Sequence, residues 1–405
     1  MENLRAIYSS AVKKEILLIS YYFPPEKGAA AHRIFRLAQL LQQQGYQVRV
    51  WCPLPNYPTG QVFEAYQNRF WVREQVDGIL VERFWIWPNQ SKSLVKRIVA
   101  STSFVFSLSM ALLFRAYPKQ VFIQCPPMPI AWVGVFLGRL RRKEILLNIS
   151  DLWPSVGVEL GVLQPQSLAV RWSEKAMRWC YRKVPIVFGQ SAEIVSAVAK
   201  DAPQTQVVLY RNLPFYQNNK PQPITANQPL KVFYAGLFGV AQGVADLMEN
   251  CSFTDIDMEV HLYGAGAESS QMAAFLKNNP NPKIHLHGLL PHDQIVEAVS
   301  GCHLALIPLV KPLYGSVPSK IFEWAQMGIP CVYMGGGEGE QIVQHYELGW
   351  TIEPKNYKAL EALLKELSVQ KETDWNVQRN QIWERAQQHL TLESQWQQWQ
   401  QEGIF

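Results

Sequence analysis

The segment KPLYGSVPSKIFEWAQMGIP, from Lys311 to Pro330, leaves a strand, crosses a polar loop and enters a helix near Pro318. Pro318 and Ser319 suit a helix start. A helix amino end presents unpaired backbone N–H groups and the positive end of a dipole. Lys320 adds a full charge there, so the position favours a phosphate or diphosphate. Glu323 follows one turn on, at a spacing suited to accepting hydrogen bonds from a sugar diol. The same residues also describe a capped surface helix in which Lys320 and Glu323 form an i,i+3 ion pair. A second stretch, YAGLFGVAQGVADLM, sets Gly236, Gly239 and Gly243 after a strand and at the opening of a helix. Such a turn brings backbone amides close to a diphosphate, or packs a tight β–α connection. Its spacing matches neither G-x-G-x-x-G nor a P-loop.

In the first half, Gly28, Ala29 and Ala30 end a loop that enters a helix near His32. Arg33 on the first turn either meets an acceptor phosphate or is one more solvated arginine. Asp151, after the strand Ile145–Ile149 and before Leu152-Trp153-Pro154, is a site carboxylate or a helix cap. Other signals carry less. Asp255-Ile-Asp257 matches a D-x-D metal motif but lies in a polar loop before a strand. Gly264-Ala-Gly266 lacks the third glycine of a dinucleotide fingerprint, and Glu268 follows too soon for a ribose-binding acid. His285 and His287 alternate on a strand, His292 follows, and there is no H-E-x-x-H, so no metal site is expected. His32 reads as a surface residue.

These residues need elements to position them. Glu15 to Pro53 reads as a β-loop-α-β unit whose helix places Ile34, Leu37, Ala38 and Leu41 on one face. Strands follow at Val81–Trp85, Val121–Gln124, Ile145–Ile149 and Pro185–Gly189, alternating with helices. Residues 213–230, LPFYQNNKPQPITANQPL, are rich in Pro, Asn and Gln without periodicity and mark a linker. Alternation then restarts with KVFYAG, MEVHLYG, KIHLHG, CHLALIP and IPCVYMG, five strand-like runs of a second parallel sheet. The predicted fold is α/β, two doubly wound Rossmann-like domains facing a cleft, with ligands at the carboxyl ends of the strands. The expected divisions are 1–212, the linker 213–230, 231–372, and a helical tail 373–405 that returns to the first domain.

Composition narrows the class. The 405 residues are 48% hydrophobic and 18% charged, which excludes a disordered chain, a collagen or a coiled coil. Residues 1–211 carry 26 Lys and Arg against 13 Asp and Glu, a net of +13, whereas the remainder carries 12 against 20, a net of −8. The first half therefore seeks anionic partners. Nucleic acid is not among those expected. Six scattered cysteines without a C-x-x-C pair and the absence of a signal peptide point to a reduced, cytoplasmic setting. Ile98 to Phe114 is a run of 17 uncharged residues with basic flanks at both ends. Its length and its Ser and Thr content favour a buried or interfacial helix over a membrane span.

The motifs SVPSKIFEWAQMGIP, AGLFGVAQG, LYGAGAE and HGLLPHDQI, with YYFPPEKGAAAHR, PNYPTG and ISDLWPSVGVELG in the first half, together resemble the retaining, nucleotide-sugar-dependent glycosyltransferases of family 4. The resemblance covers nearly the whole chain, in order. It is strongest to the fucosamine and colanic acid transferases of bacterial surface polysaccharides. It implies the GT-B fold, with acceptor in the N-terminal domain and donor in the C-terminal one. Donor contacts would come from Gly236, Gly239, Gln242, Gly243, Gly264, Leu290, Pro318, Ser319, Lys320 and Glu323. Acceptor contacts would come from Gly28, Ala29, Arg33 and Trp153, and catalytic groups would be Asp151 and Lys320. Glu323 matches the second glutamate of the family's E-x7-E motif, which binds the ribose; the first would fall at Gly315 and is absent. The Arg and Lys that often grip the diphosphate would fall near Phe238 and Gln242, and Ser150 stands where a histidine is expected. The resemblance further implies a UDP-sugar donor, no cofactor or metal, and a lipid-linked or saccharide acceptor. The +13 half with its basic-flanked apolar helix suits a lipid-diphosphate-linked sugar and peripheral attachment at the inner face of the plasma membrane, or else the excess charge confers solubility and the helix is core. A non-catalytic nucleotide-sugar-binding protein and, less favoured, a dinucleotide oxidoreductase are the competing readings.

Overall fold

The computed structural model describes residues 14–88, 94–159, 161, 163–214, 220–224, 229–312 and 314–405, with backbone alone over 94–99. The chain divides into two compact units, Met1–Asn212 and Leu213–Phe405. The first contains, in order, β1 (Glu15–Ile19), α1 (Ala29–Gln43), β2 (Gln47–Pro53), β3 (Trp71–Val76), β4 (Ile79–Phe84), α2 (Leu94–Phe114) and β5 (Gln120–Cys125). It continues with α3 (Met128–Leu140), β6 (Glu144–Ile149), α4 (Ser155–Glu159), α5 (Leu168–Lys183), β7 (Ile186–Gly189), α6 (Ala192–Asp201) and β8 (Gln206–Leu209). The sheet order is β3-β4-β2-β1-β5-β6-β7-β8, parallel except for the β3–β4 pair. Central strands such as EILLI and QVFIQC are almost continuously apolar because helices cover both faces of a parallel sheet.

Two expectations change here. Helix α1 begins at Ala29 with Gly28 as its cap, so Ala29 and Ala30 are helical and Arg33 lies in the second turn. Arg33 is also buried, together with Ile34, Leu37, Ala38 and Leu41, so it is not a solvated arginine. Helix α2 turns Phe104, Leu108, Ala111 and Leu112 into the core and leaves Phe106, Met110 and Phe114 outside. No helix among the described residues is long and apolar enough to cross a membrane. The basic flank at Lys92 lies outside the described residues.

The second unit contains β9 (Leu230–Leu237), α7 (Val244–Asn250), β10 (Met258–Ala265), α8 (Ser269–Asn278), β11 (Ile284–Gly288), α9 (His292–Ser300) and β12 (Leu304–Pro308). Then come α10 (Ser319–Gln326), β13 (Cys331–Met334), α11 (Gly337–His345), β14 (Gly349–Thr351), α12 (Tyr357–Leu367), α13 (Glu372–His389) and α14 (Leu392–Gln401). Its parallel sheet runs β11-β10-β9-β12-β13-β14. Helix α13, the first part of the tail, belongs to the second unit. Trp375, Ile382 and Ala386 of α13 enter the second unit's core, and Arg379 donates to the carbonyls of Cys302 (2.8 Å) and Ser300 (3.0 Å) at the end of α9. Those carbonyls carry the negative end of the helix dipole, which suits a guanidinium. Part of the 213–230 linker lies outside the described residues. Ile224 within it is pinned to Asn376 of α13 by two hydrogen bonds, of 2.8 and 3.1 Å.

Each sheet reverses strand order once along the chain, between β1 and β5 in the first unit and between β9 and β12 in the second. Ligands of open α/β sheets bind at the carboxyl ends of such strands.

Candidate functional site

In the second unit the loops leaving β9 and β12 meet. Val310 N–H donates to the Ala241 carbonyl at 2.9 Å. Gly243 adopts φ +63, and a Cβ there would come within 2.8 Å of Val310 Cγ2, so glycine permits this junction. Gly264 stands opposite Gly236 in register, and a Cβ on Gly264 would lie 1.8 Å from the Gly236 carbonyl oxygen. Its absence allows the two backbones to approach. Gln242 Oε1 lies within 2.7 Å of where a Gly239 Cβ would sit. Glu268 Oε2 accepts from Ala245 N–H at 3.2 Å, so a carboxylate of the protein itself already occupies the first turn of α7.

Helix α10 starts differently. Its cap is Pro318, which offers no side-chain acceptor, and Ser319 is its first residue rather than its cap. Lys320 Nζ pairs with Glu323 Oε2 at 2.7 Å; Glu323 is buried and the Lys320 side chain is 33% exposed. The ion pair foreseen in the surface-helix reading therefore forms, on a carboxylate that is not at the surface. His292, the first residue of α9, brings Nδ1 to 3.8 Å from Glu323 Oε1. The structure thus separates His292 from His285 and His287 and joins it to the ribose-binding candidate. Leu290, just before α9, is partly buried against the core beneath. Gly315 is buried with φ +77. Glu338, buried in the first turn of α11 after β13, reaches the same end of the sheet and was not singled out from the sequence.

The first unit gathers polar groups at the ends of β6 and β7. Arg33 donates to Gln190 Oε1 (2.6 Å), Ser150 Oγ (2.9 Å), Asn148 Oδ1 (3.3 Å) and the Tyr210 carbonyl, and its guanidinium lies 3.9 Å from the Tyr210 ring centroid. These partners compensate for burying a charge. Burial lowers its pKa nonetheless. Asp151 responds in the opposite sense: burial raises its carboxyl above the ordinary range while the Arg33 charge pulls it down. Gly28 faces the Tyr57 ring, where a Cβ would lie 3.4 Å from Cε1, and Ala29 is exposed beside it. Trp153 packs on Gly157, where a Cβ would come within 2.6 Å of Cζ3. Glu26 escaped the sequence reading although it ties two motifs together. Its buried carboxylate accepts from the amides of Asn56 (2.8 Å), Tyr57 (2.9 Å) and Phe23 (3.3 Å). Asp255 and Asp257 are exposed in the loop before β10, and His32 is exposed on α1.

Two family models match the chain, one described as a glycosyl transferase 4-like domain over residues 28–212 and one as glycosyl transferases group 1 over residues 229–369. A search of curated protein sequences finds no match. Among solved structures, sucrose-phosphate synthase from Thermosynechococcus elongatus is similar at 16% identity and TM-score 0.71, covering 96% of this chain and 98% of that one. Anabaena Alr3699/HepE in complex with UDP is similar at 13% identity and TM-score 0.65, covering 96% and 99%. WaaG, a glycosyltransferase involved in lipopolysaccharide biosynthesis, is similar at 12% identity and TM-score 0.63, covering 95% and 98%. At such identities the structural likenesses speak for the fold. The two parallel α/β units and the two family models agree: the chain is a glycosyltransferase of GT-B architecture, its first domain of the glycosyl transferase 4-like family and its second of glycosyl transferases group 1.

Proposed function

We propose that this enzyme transfers a sugar, with retained anomeric configuration, from a UDP-sugar to a hydroxyl of a lipid-linked or saccharide acceptor. The setting is synthesis of a bacterial surface polysaccharide of the fucosamine or colanic acid type. The observation that carries the donor half is the junction at the β9–β12 reversal, where the Val310–Ala241 hydrogen bond sets the glycine turn beside the loop entering α10. HepE, whose complexes contain UDP and UDP-glucose, supports uridine as the base.

On this reading Glu323, held by Lys320, accepts hydrogen bonds from the ribose diol. The amides of the Gly236–Gly243 turn and the amino end of α10, with Lys320, face the diphosphate. Fixed donors placed where charge develops each contribute about 2–4 kcal/mol. The anomeric carbon–oxygen bond to the diphosphate breaks while the acceptor oxygen bonds on the same face. The departing phosphate oxygen takes the acceptor's proton, so the route needs neither a side-chain base nor a metal. Asp151 orients the acceptor hydroxyl, beside Gly28, Ala29 and Trp153. Arg33, already committed to protein acceptors, acts by drawing the Asp151 carboxyl down against its burial rather than by touching acceptor phosphate.

A lipid-linked acceptor requires a route to a membrane surface. Helices α3 and α5 carry exposed Phe136 (59%), Leu140 (65%) and Trp172 (59%), and α2 adds Phe106 and Phe114. Exposed Arg139, Arg142, Arg171 and Lys175 lie on the same helices or just beyond α3. Aromatic side chains among basic ones suit the interface of an anionic leaflet. The test offers a panel of UDP-sugars with a lipid-linked acceptor in anionic vesicles. We expect acceptor-dependent UDP release, a product of unchanged anomeric configuration, and flotation of the protein at low salt. Binding of UDP-sugar without turnover would instead make the protein a non-catalytic binder, and protein left at the bottom of the gradient would remove the membrane from the proposal.

A further inference from the structure

Strands β10 and β11 run parallel with His261 opposite His285. Side chains two apart on a strand share a face. Glu259, His261 and Tyr263 of β10 therefore line up beside His285 and His287 of β11. Tyr263 joins the core shared with Ile295 and Val299 of α9, so this is the face that α9 covers. Glu259, His261 and His285 remain half-buried. His261 Nε2 lies 3.3 Å from Glu259 Oε2, and His261 Nδ1 lies 3.0 Å from His287 Nε2. The His261 and His285 rings stack at a centroid distance of 4.9 Å. One ligand atom from each of Glu259, His261 and His285 falls within 4.8 Å of the others. Nothing in sugar transfer employs this group, which belongs to the β10–β11 edge and not to the β9–β12 junction.

We propose that Glu259, His261 and His285 bind a divalent transition metal of the zinc type, with His287 as a positioning residue. Two imidazoles and one carboxylate suit zinc, whereas magnesium and calcium favour oxygen ligands. Zinc–ligand bonds of about 2.0–2.2 Å in a tetrahedral site set ligand atoms about 3.3 Å apart. The Glu259–His261 pair already has that separation, and half-buried side chains close the rest by rotation. With Nε2 of His261 on the metal, its Nδ1–H donates to His287 Nε2, the kind of outer contact that fixes a ligating imidazole. His261, Tyr263, Lys231 and Cys302 line an adjoining cavity of about 280 Å³, which gives an ion access and leaves room for water in the fourth position. The bound ion would tie edge strand β11 to β10. The sequence concealed the site because two of its ligands, Glu259 and His261, come from the preceding strand.

The test uses full-length, tag-free protein stripped with chelator and titrated with ZnCl2 by calorimetry, with CoCl2 as a spectroscopic probe. We expect one ion per chain, the visible bands of four-coordinate cobalt, and a Tm that rises with zinc. Glu259→Gln and His285→Ala should each weaken zinc binding at least tenfold and abolish the rise in Tm. His287→Ala should weaken binding less, and His389→Ala, at an exposed position on α13, should change nothing. If His285→Ala does not fold, His261→Gln takes its place. Absence of stoichiometric zinc binding in the wild type, or wild-type affinity in Glu259→Gln and the folded histidine ligand variant, overturns the proposal.

Discussion

Replacing Lys320 with alanine separates the role the structure shows for its ammonium group, pairing with Glu323, from the one proposed for it. Its Nζ holds Glu323 Oε2 at 2.7 Å with a side chain 33% exposed, so solvent screens the pair and its loss costs about 1 kcal/mol of stability. In a domain of this size that lowers Tm by about 2–4 °C. The proposed second role is to meet the diphosphate, and a hydrogen bond to a charged group is worth about 1.5–3 kcal/mol. Kd for UDP should therefore rise about 10- to 150-fold. Uridine, which lacks phosphates, distinguishes the roles: Lys320→Ala should leave its affinity nearly unchanged, whereas Glu323→Ala should weaken uridine and UDP alike through the lost ribose contact. Calorimetric titration of both variants with both ligands, alongside thermal unfolding, reads all these quantities. If Lys320→Ala binds UDP within twofold of wild type while melting a few degrees lower, Lys320 only clamps Glu323 and the diphosphate assignment is wrong.

Arg33→Met should cost about 3–5 kcal/mol, because buried acceptors at Asn148, Ser150, Gln190 and Tyr210 lose a common donor. Where the variant folds, the acid limb of its activity profile should move to higher pH, since the Asp151 carboxyl loses the charge that opposes its burial; an unmoved limb refutes the link. Burial pushes the Glu82 carboxyl up, but hydrogen bonds from Arg49 and Trp51 and the charges of Arg49 and Arg115 outweigh it, leaving the pKa below its ordinary 4.5. The stability it confers is complete above that value and is lost as pH falls through the depressed one, so acid melting curves of Glu82→Gln should be flatter than wild type over that window. Gly315→Ala, at φ +77, should cost about 1 kcal/mol and weaken UDP binding by distorting the entry to α10, and titration with UDP reads the effect.

Strands buried on both faces were legible because their apolar runs have no other use: EILLI, EILLNI and LALIP became β1, β6 and β12. Strands β3 and β14 were not, since WVREQV alternates exposed and half-buried residues at the sheet edge and GWT is only half-buried. The apolar face of α1 was predicted through Ile34, Leu37, Ala38 and Leu41, but the same periodicity places Arg33 inside, where a charge reads as a break in the pattern. Its partners lie more than a hundred residues away, so no local spacing announces them. The candidate site divides in the same way. Lys320 and Glu323 share a helix turn and could be paired by eye, whereas His292 reaches Glu323 from another helix and Glu26 gathers amides from another loop.

The distribution of charge around the β9–β12 junction follows from which helix ends already face a side chain of the protein. At α7 the Glu268 carboxylate takes an amide of the first turn, and a diphosphate brought there would face that negative charge. A family cation at Phe238 or Gln242 would offset it, yet neither position carries one. At α10 the cap is a proline that offers no side-chain acceptor, and a lysine stands at the second helical position. The positive end of the α7 dipole is thus met by a carboxylate of the protein, and at α10 the proposed diphosphate would meet it. On the proposed reading, concentrating the attraction on a partly exposed lysine should make donor affinity sensitive to salt, because solvent and ions screen such a charge more than a buried one. A diphosphate held mainly by the amides of the glycine turn would show a shallower salt dependence, and that contrast follows from the different starts of two helices at one end of a single sheet.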